Sequence, residues 1–128
     1  MKILLDTCTF LWVVSGSSEL STAARDHFQD PNNEVYLSSV SSWEICVKYD
    51  IGKLVLPEKP ERFIPNMRQA HEIDPFSLDE ISVLYLNRLP MLHRDPFDRM
   101  LACQALAHGL VILTPDELLQ QYPVRALW

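Results

Sequence analysis

The chain has 128 residues, a formal net charge of −6, a sequence pI of about 5.1 and 48% hydrophobic residues. That is the size of one domain, able to hide roughly two-thirds of its unfolded surface without disulfide staples and too apolar for a disordered chain. Three glycines are too few for a glycine-rich phosphate loop, no stretch approaches the ~20 apolar residues that span a bilayer, and the acidic balance speaks against a broad basic face for nucleic acid.

Residues 2–5 (KILL) form a short apolar run ended by Asp6, as a fully buried parallel strand does. Lys2 with the apolar residues up to Val14 faintly resembles a secretory leader, but Asp6 spoils its apolar segment, and a cytoplasmic protein is expected. Thr7 to Val14 continues as a helix stopped by Gly16. Ser21 caps a second helix to about Gln29, and residues 30–33 (DPNN) make a turn. Residues 35–38 read as a second strand. A helix follows from about Val40 and stops at Gly52. After the loop marked by Pro57 and Pro60, residues 61–72 are helical. A further helix starts at Ser77 or Leu78 and ends before Pro90; the next starts at Asp95-Pro96 and ends at Gly109. Residues 110–113 (LVIL) are a third buried strand, and Val124 to Leu127 a short last one. All three glycines fall just past helix ends, where a left-handed residue is favoured. Strands alternating with helices predict a single α/β domain over 1–128, with a central parallel sheet of four to five strands flanked by helices.

Ligands bind such sheets at the carboxyl ends of the strands. Asp6 directly follows the first strand. Glu44 lies early in the helix after the second, Asp95 and Asp98 open the helix before the third, and Asp116 follows the third. These five acids account for five of the six net negative charges. Crowded like charges repel unless cations compensate, and hard divalent ions such as Mg²⁺ or Mn²⁺ take carboxylate oxygens. Each acid also has a plain structural role available. Asp95-Pro96-Phe97-Asp98 is a good helix start in its own right, with Asp95 as N-cap and Asp98 as third-position acid. Asp6 and Asp116 are also placed to cap helical turns. Glu44, between Trp43 and Ile45 among apolar and small residues, has the weakest purely structural explanation.

The stretches LLDT (from residue 4), SSWEI (41–45), HRDPFDRML (93–101) and LTPDELLQQY (113–122) resemble a PIN-domain ribonuclease. More narrowly, they resemble the VapC-type toxins of bacterial and archaeal toxin–antitoxin modules. The resemblance spans nearly the whole chain, and HRDPFDRML is its most specific part. It carries Asp6, Glu44, Asp95 and Asp98 onto the family's acidic quartet, and Asp116 onto a further, less regular acidic position. It implies a metal-dependent endoribonuclease with Mg²⁺ or Mn²⁺ on Asp6, Asp95 and Asp98. Glu44 would orient the attacking water or complete the metal shell. One ion and two ions both remain open. The expected substrates are structured RNAs such as tRNA or ribosomal RNA, cut to leave a 5′-phosphate and a 3′-hydroxyl. The expected partners are a cognate antitoxin and a second copy of the chain, with no membrane.

Lys48, Arg94 and Arg99 are candidate RNA-binding residues. Lys48 lies one turn after Glu44, and Arg99 is also spaced to pair with Asp95. His93 reads as a packing or capping residue more readily than as a proton shuttle. Cys8, Cys46 and Cys103 are an odd, widely spaced set, which reads as buried thiols; Cys46, about 200° round the helix from Glu44, is expected in the core. Trp12, Trp43 and Trp128 read as core or dimer contacts. The stretch from Val47 to Met67 is a candidate wall for the antitoxin, through Ile51, Leu54, Leu56, Phe63, Ile64 and Met67. The rival readings are a non-catalytic interaction module of the same fold and a phospho-receiver switch. The second lacks a lysine after the 110–113 strand, which is followed by Thr114-Pro115-Asp116.

Overall fold

In the computed structural model, which describes residues 1–128, Ile3, Leu4 and Leu5 of strand β1 (Lys2–Leu5) are all fully buried. Successive strand residues point to opposite faces. Ile3 and Leu5 enter one core with Phe10, Val35, Leu37 and Ile45. Leu4 enters a second with Val40, Leu101, Ala102 and Ile112. A strand apolar on both faces must be covered on both, which makes this a three-layer fold with β1 at its centre. On either side of β1 lie β2 (Glu34–Ser38) and β4 (Val111–Leu113), and the edges are β3 (Asp74–Phe76) and β5 (Ala126–Leu127). All pairings are parallel, in the order β3-β2-β1-β4-β5. Leu5 sits level with Leu37 on one side and Leu113 on the other.

Six helices cover the sheet: α1 (Thr7–Ser15), α2 (Thr22–Gln29), α3 (Ser39–Asp50), α4 (Pro60–Ala70), α5 (Glu80–Leu84) and α6 (Pro96–His108). Gly16 and Gly109 end α1 and α6 at φ of 66°, a left-handed conformation that side chains with a Cβ disfavour. No helix is long and apolar enough to cross a membrane. The strand sequence runs outward from β1 through β2 to β3, then returns to β4 on the other side. The carboxyl ends of β1 and β4 therefore border a crevice at the topological switch point.

The fold class and most elements agree with the sequence reading, with two corrections. Strand β3 was not anticipated, because Asp74-Pro75-Phe76 has the composition of a turn. Proline is tolerated here because the strand lies at the sheet edge. The helix expected from residue 77 or 78 to Pro90 is broken into the five-residue α5 and a 3₁₀ turn at Leu86–Arg88. Asp79, accepting from the Ser82 N–H at 2.9 Å, sets the late start. Pro90 favours extended backbone at Leu89, which lies at φ −80°, ψ 137°.

Candidate active site

Asp6 leaves β1 and caps α1, with Oδ1 accepting the Thr9 N–H at 2.9 Å. Its Oδ2 accepts the hydroxyl of Thr114, the residue after β4, at 2.5 Å. The Thr114 hydroxyl oxygen also accepts the Asp116 N–H at 3.0 Å. Asp116 Oδ1 takes the N–H groups of Leu118 and Leu119 at 2.8 and 3.0 Å. On α3, Glu44 Oε1 accepts the Thr7 hydroxyl at 2.6 Å, while Oε2 pairs with Lys48 one turn on. Asp95 caps α6 through Oδ1, which takes the N–H groups of Phe97 and Asp98 at 2.8 and 3.3 Å. Asp98 Oδ2 lies 3.0 Å from His93 Nε2, and Asp116 Oδ2 lies 3.4 Å from the same nitrogen. Capping and cleft-lining are thus combined in Asp6 and Asp95: helix starts aim their carboxylates at the crevice.

All five carboxylates line one cleft of about 370 Å³, with Lys48 and Lys53 as the only basic residues on its wall. Asp6 and Glu44 are buried. Burial pushes the Asp6 carboxyl above its usual range despite the opposing bonds from Thr114 and Thr9. Asp98 is pushed up to about 7, first by burial and then by the charges of Asp95, Asp6 and Glu44. Lys48 is held above its usual value, chiefly by its hydrogen bond to Glu44. Such crowding of acids, with Lys48 already committed to Glu44, favours a cation in the cleft, and an all-oxygen donor set suits a hard divalent ion. One ligand atom from each of His93, Asp98 and Asp116 also lies within 4.8 Å of the others.

Asp6, Glu44, Asp95, Asp98 and Asp116 are thus brought together. Lys48 joins them, bound to Glu44. Arg94 and Arg99 do not: both line a separate cavity of about 330 Å³ with Leu86 and Met91. Arg94 is exposed, but Arg99 is only 9% exposed. Its Nη1 donates to the Pro90 carbonyl at 3.1 Å and the Tyr122 hydroxyl at 3.3 Å. Arg99 is a buried strut and not the Asp95 partner that its spacing suggested.

Cys46 faces away from the cleft as expected, yet is exposed, because that side of α3 borders an open groove with Pro60 and Arg68. Of the other thiols, Cys103 is buried. Half-buried Cys8 lies 3.4 Å from Asp6 Oδ1, and burial with the nearby Asp6 charge raises its pKa. Trp43 is 58% exposed and meets Phe97 edge-on at 4.8 Å, so it is not a core residue of this chain. Trp12 and Trp128 pack on each other at 5.8 Å.

Thr7 and Thr114 are the site residues that sequence reasoning missed, and their hydroxyls offered no signal. His93, read as a packing or capping residue, does accept the Asp95 N–H on Nδ1 at 3.1 Å, and it also faces the acids.

The PIN domain family model matches residues 3–124. The chain belongs to the PIN domain family. Ribonuclease VapC16 of Mycobacterium tuberculosis (strain ATCC 25618 / H37Rv) is 37% identical to this PIN domain over 51 residues. That stretch is 40% of the chain and 36% of the relative, so the match spans about a third of the curated protein. Among solved structures, VapBC2 from Rickettsia felis bound to a promoter DNA fragment superposes with a TM-score of 0.73 at 15% identity, covering 99% of this chain and 98% of that one. DNA-bound VapBC from Salmonella typhimurium gives 0.67 at 19% identity, with 99% and 97% covered. VapBC-1 from nontypeable Haemophilus influenzae gives 0.66 at 16% identity, with 99% and 97% covered. At such identities the likeness is one of fold.

Proposed function

We propose that this PIN domain is a divalent-metal-dependent endoribonuclease and the toxin of a toxin–antitoxin pair. The observation that carries the reading is the convergence of Asp6, Glu44, Asp95, Asp98 and Asp116 on one cleft at the strand ends. The relative's name, a ribonuclease, and the VapBC structures that share the fold support it. Asp6, Asp95 and Asp98 would hold Mg²⁺ or Mn²⁺, with Asp116 as a further oxygen donor. Such an ion would supply a water of lowered pKa and offset charge on the phosphate. Glu44 would orient the attacking water. Thr7 holds its Oε1 and Lys48 its Oε2, which fixes the carboxylate against α3. Lys48 and Lys53 at the cleft wall meet RNA phosphates as point charges. With so few bases there, affinity rests on ion-bridged phosphate contacts and on RNA shape. The substrates are structured RNAs of the cytoplasm, tRNA or ribosomal RNA, cut to a 5′-phosphate and a 3′-hydroxyl.

An antitoxin segment seats in the apolar groove of about 570 Å³ beside the cleft, walled by Leu54, Leu56, Phe63 and Met67. The chain pairs as a homodimer, for which the exposed Ile81, Leu84 and Met91 offer apolar surface. Light scattering of the isolated protein is expected to report about twice 14.8 kDa; a monomer at micromolar concentration contradicts the pairing. The function is tested by incubating total RNA with Mg²⁺, Mn²⁺ or EDTA. Cleavage with either ion, lost in EDTA and in Asp98→Asn, is expected. Cutting in EDTA removes the metal from the mechanism, and no cutting under any condition overturns the nuclease reading.

A further inference from the structure

His93 sits between Asp98 and Asp116 of the acidic set, and four contacts fix it. Its backbone N–H donates to the hydroxyl of buried Tyr122 at 2.8 Å. Its Nδ1 accepts the Asp95 N–H at 3.1 Å. Its Nε2 faces Asp98 Oδ2 at 3.0 Å and Asp116 Oδ2 at 3.4 Å. The Nδ1 contact decides the tautomer, because a backbone N–H can only donate. Nδ1 must therefore present its lone pair, and the neutral ring carries its proton on Nε2. A ring serving an ion through Nε2 would instead place a proton on Nδ1, directly against the Asp95 N–H. The three groups thus lie within reach of one ion, but the hydrogen bonding of the ring opposes their use as a three-ligand set.

We infer that His93 is a positioning residue, whose Nε2–H holds the Asp98 carboxylate on α6 beside the Asp116 carboxylate beyond β4 without itself ligating the ion. The inference rests on the metal-dependent reading above and adds to it the means by which two elements far apart in sequence present their oxygens together. Without the clamp, Asp98 and Asp116 face each other as two acids with no donor between them. Asp116, tied only by backbone N–H groups to its Oδ1, is then free to turn its second oxygen outward. Partners of this outer kind alter metal affinity about 10- to 100-fold when removed.

Two variants separate donor from acceptor. His93→Asn keeps a carbonyl oxygen near the Nδ1 position, able to accept the Asp95 N–H, and deletes the donor. His93→Gln carries an amide N–H out to the Nε2 position. Calorimetric Mn²⁺ titration without RNA is expected to show affinity lowered about tenfold or more in His93→Asn and largely restored in His93→Gln. Melting in EDTA checks that both variants fold. Pulsed electron paramagnetic resonance of the Mn²⁺-loaded parent needs no variant, and no directly coordinated imidazole nitrogen is expected. A coordinated nitrogen overturns the inference by making His93 a ligand. Parent-like affinity in folded His93→Asn overturns it by making the clamp idle. A parent that takes up no Mn²⁺ overturns the metal reading itself, a result distinct from the other two.

Discussion

Thr114 donates its hydroxyl to Asp6 Oδ2 at 2.5 Å, joining the end of β4 to the end of β1 across 108 positions of sequence. The same oxygen accepts the Asp116 N–H, so one fully buried threonine sets the spacing of two acids. Thr114→Val keeps the shape and removes both contacts. A buried group left without its partner costs about 1–3 kcal/mol, so the urea midpoint should fall with the m-value unchanged. The Thr114 bond also restrains the rise of the Asp6 pKa, and its loss should weaken Mn²⁺ binding at neutral pH. Unchanged stability and unchanged titration would together show that the bond contributes to neither.

What the sequence disclosed and what it hid divide along the range of the contacts. The buried strands were legible as unbroken apolar runs at 2–5 and 110–113, and the acids as residues at strand ends and helix starts. Both signals are local. Thr7 on Glu44, Thr114 on Asp6 and His93 on Asp116 span 37, 108 and 23 positions, and no pattern in the chain announces them. Arg99 misled for the same reason. Its spacing to Asp95 suggested a helix-face pair, whereas the group it serves, Tyr122, arrives 23 residues later. The edge strand at 74–76 stayed hidden because an edge tolerates residues that a central strand rejects.

Asp98 makes the ion-free protein pH-sensitive in a defined direction. Its carboxyl titrates at about 7 in the fold, against 3.8 for the unperturbed group. Between those values the folded chain keeps a proton that the unfolded chain releases. Asp98's contribution to stability is therefore fullest below about pH 4 and declines as pH rises towards 7. In EDTA, Asp98→Asn should lack this decline and exceed the parent at pH 7.5 by about 1–2 kcal/mol. Added Mn²⁺ should recover the parent and leave the variant nearly unmoved. Urea unfolding at several pH values reads this out, and a parent whose stability is flat from pH 4 to 8 contradicts it. Cleavage should vanish in Asp98→Asn and in Asp6→Asn.

Arg99 and Arg94 should separate cleanly. Arg99→Met removes a buried donor from the Pro90 carbonyl and the Tyr122 hydroxyl, with an expected loss of about 2 kcal/mol and Mn²⁺ affinity close to the parent. Arg94→Ala, on an exposed side chain, should leave stability within about 0.5 kcal/mol. Thermal melts of the two variants check the contrast. Equal melting temperatures would return Arg99 to the surface role first expected of it.

The apolar groove and the acidic cleft share Leu11 and Leu54 on their walls, so a segment lying in one reaches the other. Of the six apolar positions expected to face an antitoxin, Leu54, Leu56, Phe63 and Met67 line this groove. Ile64 is buried and lines a different one, and Ile51 is exposed outside both. An amphipathic antitoxin segment would place apolar side chains along the groove and an arginine or lysine among the cleft carboxylates. Guanidinium suits bidentate carboxylate contact and would take the place of the divalent ion. Occupancy of the groove and of the cleft should then oppose each other, with the reciprocity that linkage requires. Mn²⁺ titration of the free protein and of its antitoxin complex is expected to show weaker binding in the complex, and saturating Mn²⁺ to weaken the complex equally. Val55→Lys, at a groove position that is almost fully exposed, should weaken antitoxin binding while RNA cleavage by the free protein stays at the parent rate. Equal Mn²⁺ affinity in both states would rule out a cationic plug. Inhibition would then act by blocking the path of RNA to the cleft.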